Sequence, residues 1–488
     1  MRILFVAPEC APYAKAGGLG DVVGALPKAL LRRGHDVRVL LPLYGHVDRE
    51  TLWRHGAPLG VPLGGGEAWC AVYESRLPGS EVPVYFLEHE ALFGAPYIYG
   101  SEDLHEFARF ALLSRAAFQL CRYLDFVPDA FHMHDWPTGP VAALCRFVER
   151  WPPFAQVGTV FTMHNVAHQP RFAPEGLGLL HLGPEAFHSD GFEDFGLLNP
   201  FKAGAVFADV MTTVSPTYAW EIQTHEGGAG LHDLMRERSP ELMGILNGID
   251  VDVWDPSTDR YLPARYSVRD LSGKQICKAA LRSELGFLAS DTAVPLIGLV
   301  ARLTLQKGID LLLGALDGIM ETGAELVVLG TGDPMLEDAL RSAAARYPSR
   351  ARVIIGYNEG LAHRIEAGCD MFLMPSRFEP CGLNQLYSQR YGTPPIVRRV
   401  GGLADSVENY GSVSHGLGTG FVFDGLSVDA LLDAVRRAVR LYWDEPAVFR
   451  AMQQAGMRKD FSWSRAATGY EEAYDRARIR RRSRASAA

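Results

Sequence analysis

Nowhere does the 488-residue sequence hold the roughly 20 consecutive apolar residues that a membrane-crossing helix needs. Cysteine is scarce as well: Cys10, Cys70, Cys121, Cys145, Cys277, Cys369 and Cys381 are odd in number, scattered, and contain no Cys-x-x-Cys pair. That spacing fits neither a zinc site nor a disulfide framework, and a reducing cytoplasm is the expected location. An excess of positive charge is also lacking. A net charge of −9 and a pI near 5.9 exclude a surface built broadly for nucleic acid or anionic membrane, so any anion must be met by a local cluster. No Gly-x-Gly-x-x-Gly follows a strand, which removes the dinucleotide fingerprint, and no repeat of about 20 to 50 residues is present, which removes solenoids and propellers. The apolar run Ile3-Leu4-Phe5-Val6-Ala7 is too short for a signal-peptide core and meets Pro8-Glu9 at once, so it reads as a buried first strand.

What is present is the composition of a globular protein, 48% hydrophobic and 22% charged, in a chain too long for one core. Two domains with a cleft between them are expected. The N-terminal half opens with a βαβ unit: strand Ile3 to Ala7, a helix with Val22, Val23, Leu26, Ala29 and Leu30 at helical spacing, then strand Val37 to Leu41. Further strands end at His134 and His164. In the C-terminal half, strands Leu296–Ala301, Glu325–Leu329, Val353–Ile355 and Met371–Met374 alternate with helices, which predicts a doubly wound parallel sheet. The turn signal in Leu246-Asn247-Gly248-Ile249-Asp250 marks the hinge. The expected division is therefore 1–245, 246–457, and 458–488, the last a helix with Trp463, Tyr470 and Tyr474 docking back on the first domain. Beyond Asp475 the arginine-rich segment reads as a solvated tail, with a binding role as the alternative.

Ligands of open α/β sheets sit beyond the C-terminal ends of strands, where helix N-termini favour anions. The loop Lys15-Ala16-Gly17-Gly18-Leu19-Gly20 follows the first strand: Gly17 and Gly18 let amides approach a phosphate, and Lys15 adds charge. It also reads as a plain βα turn with a solvated lysine. Arg302, directly after a strand, and Lys307, five residues on, form a cationic pair suited to a departing diphosphate, or a surface salt-bridge pair. The densest motif is Ser376-Arg377-Phe378-Glu379-Pro380-Cys381-Gly382-Leu383. Here Glu379 would accept from sugar hydroxyls and the Cys381, Gly382 and Leu383 amides would suit a phosphate, while the bland reading makes Glu379 a helix-start acid. Cys381 has no histidine beside it in sequence, which favours packing over nucleophilic catalysis. Asp135, in His134-Asp135-Trp136, and His164, in Met163-His164-Asn165, complete the set at strand ends. A metal held by His132, His134 and His164 is disfavoured because no supporting partner is readable, and none is expected.

Taken together, Lys15 to Val22, His134-Asp135-Trp136, Thr162 to Asn165, Asn247 to Asp250, Arg302 to Gly308 and Ser376 to Leu383 resemble the bacterial glycogen synthase and plant starch synthase family, in order and over nearly the whole chain. The resemblance implies a GT-B fold, two Rossmann-like doubly wound domains facing each other across a cleft. It also implies retaining transfer of glucose from ADP-glucose to the non-reducing end of an α-1,4-glucan. It assigns Lys15, Arg302 and Lys307 to the donor phosphates, Asp135, His164 and Glu379 to the glucosyl unit and reaction centre, Asp21 and Asn247 to the cleft, and Tyr357 to the adenine. No cofactor, metal, nucleic acid or membrane partner is implied, and no oligomeric state is read from it. The loop departs from the family's commonest form at Ala16, where threonine is frequent, and at Gly20, where alanine is common in some members. Tyr387 stands where related GT-B transferases carry a second glutamate. A same-fold enzyme using UDP-glucose or another acceptor is the alternative.

Overall fold

Strands rich in apolar residues along most of their length, such as Arg2–Val6 and Asp36–Pro42, are buried when both faces of a sheet are covered. In the computed structural model, which describes residues 1–287, 293–412 and 417–487, the first unit satisfies this with a sheet in the order Leu242–Gly244, Val210–Thr213, Gly158–Met163, Ala130–His134, Arg2–Val6, Asp36–Pro42, Pro83–Glu88. Each of these seven is parallel to its neighbours. An antiparallel extension, Gly66–Arg76 with Trp53–Arg54 and Leu59–Leu63, is added beyond Pro83–Glu88. Strand order reverses between Arg2–Val6 and Ala130–His134, and the helix Gly18–Arg32 follows the first of them.

The second unit contains the sheet Ala351–Ile355, Glu325–Gly330, Leu296–Val300, Met371–Met374, Pro395–Arg398, Phe421–Phe423, parallel throughout. This is the doubly wound order, with its reversal between Leu296–Val300 and Met371–Met374. Helices Ile309–Glu321 and Val428–Asp444 cover one face through Leu312, Leu316, Leu431 and Val435, all buried. Helix Glu359–Gly368 covers the other through Leu361 and Ile365.

The chain divides into Met1–Gly248 with Trp463–Ala488, and Ile249–Ser462. The two chain crossings lie side by side, because the Ile249 amide donates to the Phe461 carbonyl at 2.8 Å. The last helix runs from Trp463 to Ala487 and belongs to the first unit. Its arginine-rich half corrects the solvated-tail expectation. Arg484 pairs with buried Asp209 at 3.0 Å, Arg481 donates to the carbonyls of Cys145 and Ala155, Arg476 to that of Pro240, and Arg480 pairs with Glu241. The arginines satisfy carbonyls and carboxylates at the ends of neighbouring elements, a demand that is invisible in local composition.

Candidate functional site

In each unit most of the sequence-predicted residues follow the strands at the order reversal or next to it, the crevice that open α/β sheets offer to ligands, whereas Asn247 and Tyr357 follow the edge strands Leu242–Gly244 and Ala351–Ile355. In the first unit the glycine segment is half loop and half helix: Gly18, Leu19 and Gly20 form the first turn of Gly18–Arg32. The Ala16 and Gly17 amides donate to Glu9 Oε2 at 2.7 and 2.9 Å, and the Tyr99 hydroxyl donates to Glu9 Oε1 at 2.7 Å. A carboxylate from this chain thus holds the amides expected to hold a phosphate. Glu9 carries no motif in sequence and was missed. Lys15 Nζ donates to Asp21 Oδ1 at 2.6 Å, a pair of i and i+6 residues bent back by the helix start. Lys15, Ala16, His46, Pro96, Ile98 and Tyr99 line an open pocket of about 440 Å³.

Asp135 ends the strand Ala130–His134 in the left-handed region, φ +54°, a conformation aspartate tolerates better than most residues. The turn aims its carboxylate at the neighbouring strand, where Oδ1 accepts from the His164 amide at 2.7 Å. Burial, and to a smaller extent the charge of Glu9, pushes its pKa up to about 8, against the pull of the His164 and Asn165 amides. His164 Nε2 faces His134 Nδ1 at 3.0 Å. His132 has both ring nitrogens engaged, by Thr162 at 2.6 Å and by Tyr474 of the last helix at 2.8 Å. Burial holds all three imidazoles neutral at ordinary pH, His164 down to about 3. With both nitrogens of His132 occupied, the three histidines have no geometry for a shared ion, and no metal-binding group occurs among the described residues. Asn247 is buried at the end of this unit, its Oδ1 without a partner among the described residues.

In the second unit a single turn, Leu305–Lys307, carries Lys307 to the motif after Met371–Met374. Gly308 makes this possible: it has φ +71°, and a Cβ there would meet the Pro375 carbonyl oxygen at 2.0 Å. Lys307 Nζ donates to both Glu379 oxygens, at 2.8 and 2.6 Å, and Ser376 Oγ donates to Oε2 at 2.9 Å. The residues that the family resemblance divides between diphosphate and sugar therefore form one ion pair, with Glu379 buried and Lys307 partly so. The Glu379 segment is further clasped by Gly401-Gly402, which sequence reasoning missed. Gly402 donates to the Glu379 carbonyl at 3.1 Å, and a Cβ on it would meet the Cys381 carbonyl oxygen at 2.1 Å.

The Cys381, Gly382 and Leu383 amides precede rather than open the helix Asn384–Arg390, with Gly382 at φ +69°. Cys381 is buried. Arg302 is exposed and has no ion-pair partner among the described residues. Tyr357 is 79% exposed, its ring accessible to a planar ligand. Tyr387 stacks on Trp254 at 3.7 Å, and His363 covers the opposite face of that indole at 3.7 Å. The residue in place of a second glutamate thus packs against the stretch following the hinge.

Residues 2–237 match the family model described as starch synthase catalytic domain, and residues 286–452 match the model for glycosyl transferases group 1. Among curated relatives, a glycogen synthase from Anaeromyxobacter sp. (strain Fw109-5) is 50% identical over 97% of this chain and 99% of its own. Glycogen synthase 1 from Geobacter sulfurreducens is 46% identical over 98% of this chain and 96% of its own. Among solved structures, the catalytic domain of starch synthase IV from Arabidopsis thaliana, bound to ADP and acarbose, superimposes with a TM-score of 0.92 at 35% identity, covering 98% of this chain and 99% of that one. A sucrose-phosphate synthase from Thermosynechococcus elongatus, 16% identical with a TM-score of 0.60 over 97% and 98% of the two chains, shares the fold.

Proposed function

Because this chain belongs to the starch synthase and bacterial glycogen synthase family of GT-B glycosyltransferases, we propose that it elongates α-1,4-glucan, moving glucose from ADP-glucose to the non-reducing end with retention and releasing ADP. The observation that carries the site assignment is the Lys307–Glu379–Ser376 cluster at the strand-order reversal of the second unit. It holds a cation and a carboxylate within one hydrogen bond of each other, where a sugar diphosphate presents both an anion and hydroxyls.

Arg302 and the remaining N–H of Lys307 meet the diphosphate, whose charge grows as the bond from C1 to the phosphate oxygen breaks. The glucan 4-hydroxyl attacks C1 on the face that ADP leaves, its proton passes to a donor phosphate oxygen, and the C1–O4 bond forms. Asp135 and Glu379 are assigned to sugar hydroxyls and Glu9 to the loop amides, an assignment that favours front-face substitution over double displacement. The His164 carbonyl steadies the oxocarbenium-like centre, and Asp135 and Glu379 accept from sugar hydroxyls. Lys15 reaches the donor phosphates, Asp21 and Asn247 line the substrate path, and the Cys381, Gly382 and Leu383 amides receive phosphate oxygens. Tyr357 stacks on the adenine, a role its exposed ring supports.

Glucose incorporation into glycogen from ADP-glucose and from UDP-glucose, measured side by side, tests the donor. ADP-glucose is expected to be used faster, and faster turnover of UDP-glucose overturns the donor assignment.

A further inference from the structure

The hairpin after the His164 loop contains an outlier that the reaction as derived leaves unused. Strands Glu193–Asp194 and Leu197–Leu198 are joined by two residues, Phe195 and Gly196, at φ +54° and +79°. Such a turn needs positive φ at both positions and favours Asn-Gly. A phenylalanine in the left-handed region is disfavoured, and its ring, 87% exposed, gains nothing from burial that would compensate. Strain of this kind persists only where the surroundings hold it.

They do so through an unbroken chain of polar contacts. The Arg171 guanidinium lies over the Phe195 ring, 5.6 Å from its centroid, while its Nε donates to Asp194 Oδ2 at 2.6 Å. Asn199 Nδ2 donates to Asp194 Oδ2 and to Gln169 Oε1, both at 2.9 Å. Gln169 Nε2 in turn donates to the Val166 carbonyl at 2.5 Å, two residues beyond His164. The Lys202 ammonium donates to the Glu193 carbonyl at 2.6 Å, and the Gly196 amide to Glu193 Oε1 at 2.8 Å. The aromatic tip is thereby indexed to the loop that carries His164.

A single aromatic ring on a fixed mount, flanked by the partly exposed Arg171 guanidinium that buried Asp194 holds in place, matches one glucosyl residue: the apolar C–H face lies on the ring and the hydroxyls meet the guanidinium. We propose that Phe195, backed by Arg171, is an acceptor subsite that stacks a glucosyl residue of the growing α-1,4-glucan. This rests on the glucan-acceptor reading above.

Phe195→Gly removes the ring and suits the backbone; Phe195→Trp keeps a ring. Kinetics with glycogen varied, together with migration in native gels cast with glycogen, give two independent readouts. F195G is expected to raise KM for glycogen about threefold to tenfold, leave KM for ADP-glucose within about twofold, melt no lower than the parent, and lose retardation in the glycogen gel, while F195W behaves like the parent. An F195G variant with unchanged KM for glycogen and unchanged retardation overturns the subsite, as does an F195W variant that fails like F195G. If the parent transfers no glucose, the catalytic reading fails; parent retardation that F195G loses still supports the subsite, and a parent not retarded overturns it.

Discussion

Acid should destabilise the first unit through its histidines, and Asp135 should mask part of the effect. His132, His134 and His164 are held neutral by burial, well below the ordinary 6.5 and at about 3 for His164. A base whose folded pKa is depressed stabilises above the unfolded value, and that stability is lost as pH falls toward the folded one. Between pH 7.0 and 5.5 each unfolded imidazole takes up most of a proton that the folded one refuses, about 1.3 kcal/mol apiece and about 4 kcal/mol for the three. Asp135 has the opposite sign. Its folded pKa is raised from 3.8 to about 8, so its contribution is complete below 3.8 and is lost as pH rises through about 8. Over the same window acidification restores about 2 kcal/mol, leaving a net loss near 2 kcal/mol from these four groups. Asp135→Asn keeps an oxygen for the His164 amide and removes the titration. Urea unfolding of both proteins at pH 7.0 and 5.5 isolates the difference, because all other groups cancel. The variant should lose about 2 kcal/mol more than the parent on acidification. An equal or smaller loss would refute the assignment of a buried, protonated Asp135.

Glu379→Gln keeps the shape but breaks the ion pair with Lys307, so kcat for glucosyl transfer is expected to fall by about 10²–10³ while the protein remains folded by circular dichroism. Gly402→Ala drives a Cβ into the Cys381 carbonyl, 2.1 Å away. The Glu379 segment must shift, and initial rates with ADP-glucose should drop about tenfold or more. Truncation after Asp475 removes the arginine contacts to Asp209, Glu241, Cys145, Ala155 and Pro240. Calorimetry should show a loss of about 2–4 kcal/mol in the first unit, with KM for ADP-glucose unchanged.

The strands of the second unit were readable because parallel strands buried on both faces are continuous apolar runs: Met371–Met374 has the ends expected, and Leu296–Val300 stops one residue short. The candidate site positions were read from the same rule, since strand ends near an order reversal are where ligands of open α/β sheets bind. What sequence could not reveal is which of those side chains meet. Glu9 reaches the glycine loop because the Pro8–Tyr13 segment doubles back, Cys10 bridging to Ala14. Gly401-Gly402 reaches Glu379 across some twenty intervening residues that form a helix and a strand. The arginine-rich terminus misled because composition reports charge and is blind to acceptors such as Asp209, supplied by another part of the chain. Tyr387 likewise shows its role only through the Trp254 ring that it covers.

The cations assigned to donor phosphate are not equivalent. Lys15 is paired with Asp21 and Lys307 with Glu379, each at 2.6 Å, so each lysine stands in a locally compensated pair. Such pairs fix an ammonium in place but contribute little net field at a distance, which suits a protein of net charge −9 that must still bind a dianionic diphosphate. Arg302, exposed and without an ion-pair partner among the described residues, has no such compensation. It should supply most of the long-range attraction, and the lysines most of the positioning. Arg302→Ala is therefore expected to leave stability within about 0.5 kcal/mol. It should lower kcat/KM for ADP-glucose about 10²–10³-fold and flatten the dependence of KM for ADP-glucose on sodium chloride. Lys15→Ala should raise that KM while keeping most of the salt dependence. The reverse order, with salt sensitivity lost in the lysine variant and kept in the arginine variant, would show that the pairs open before the donor arrives.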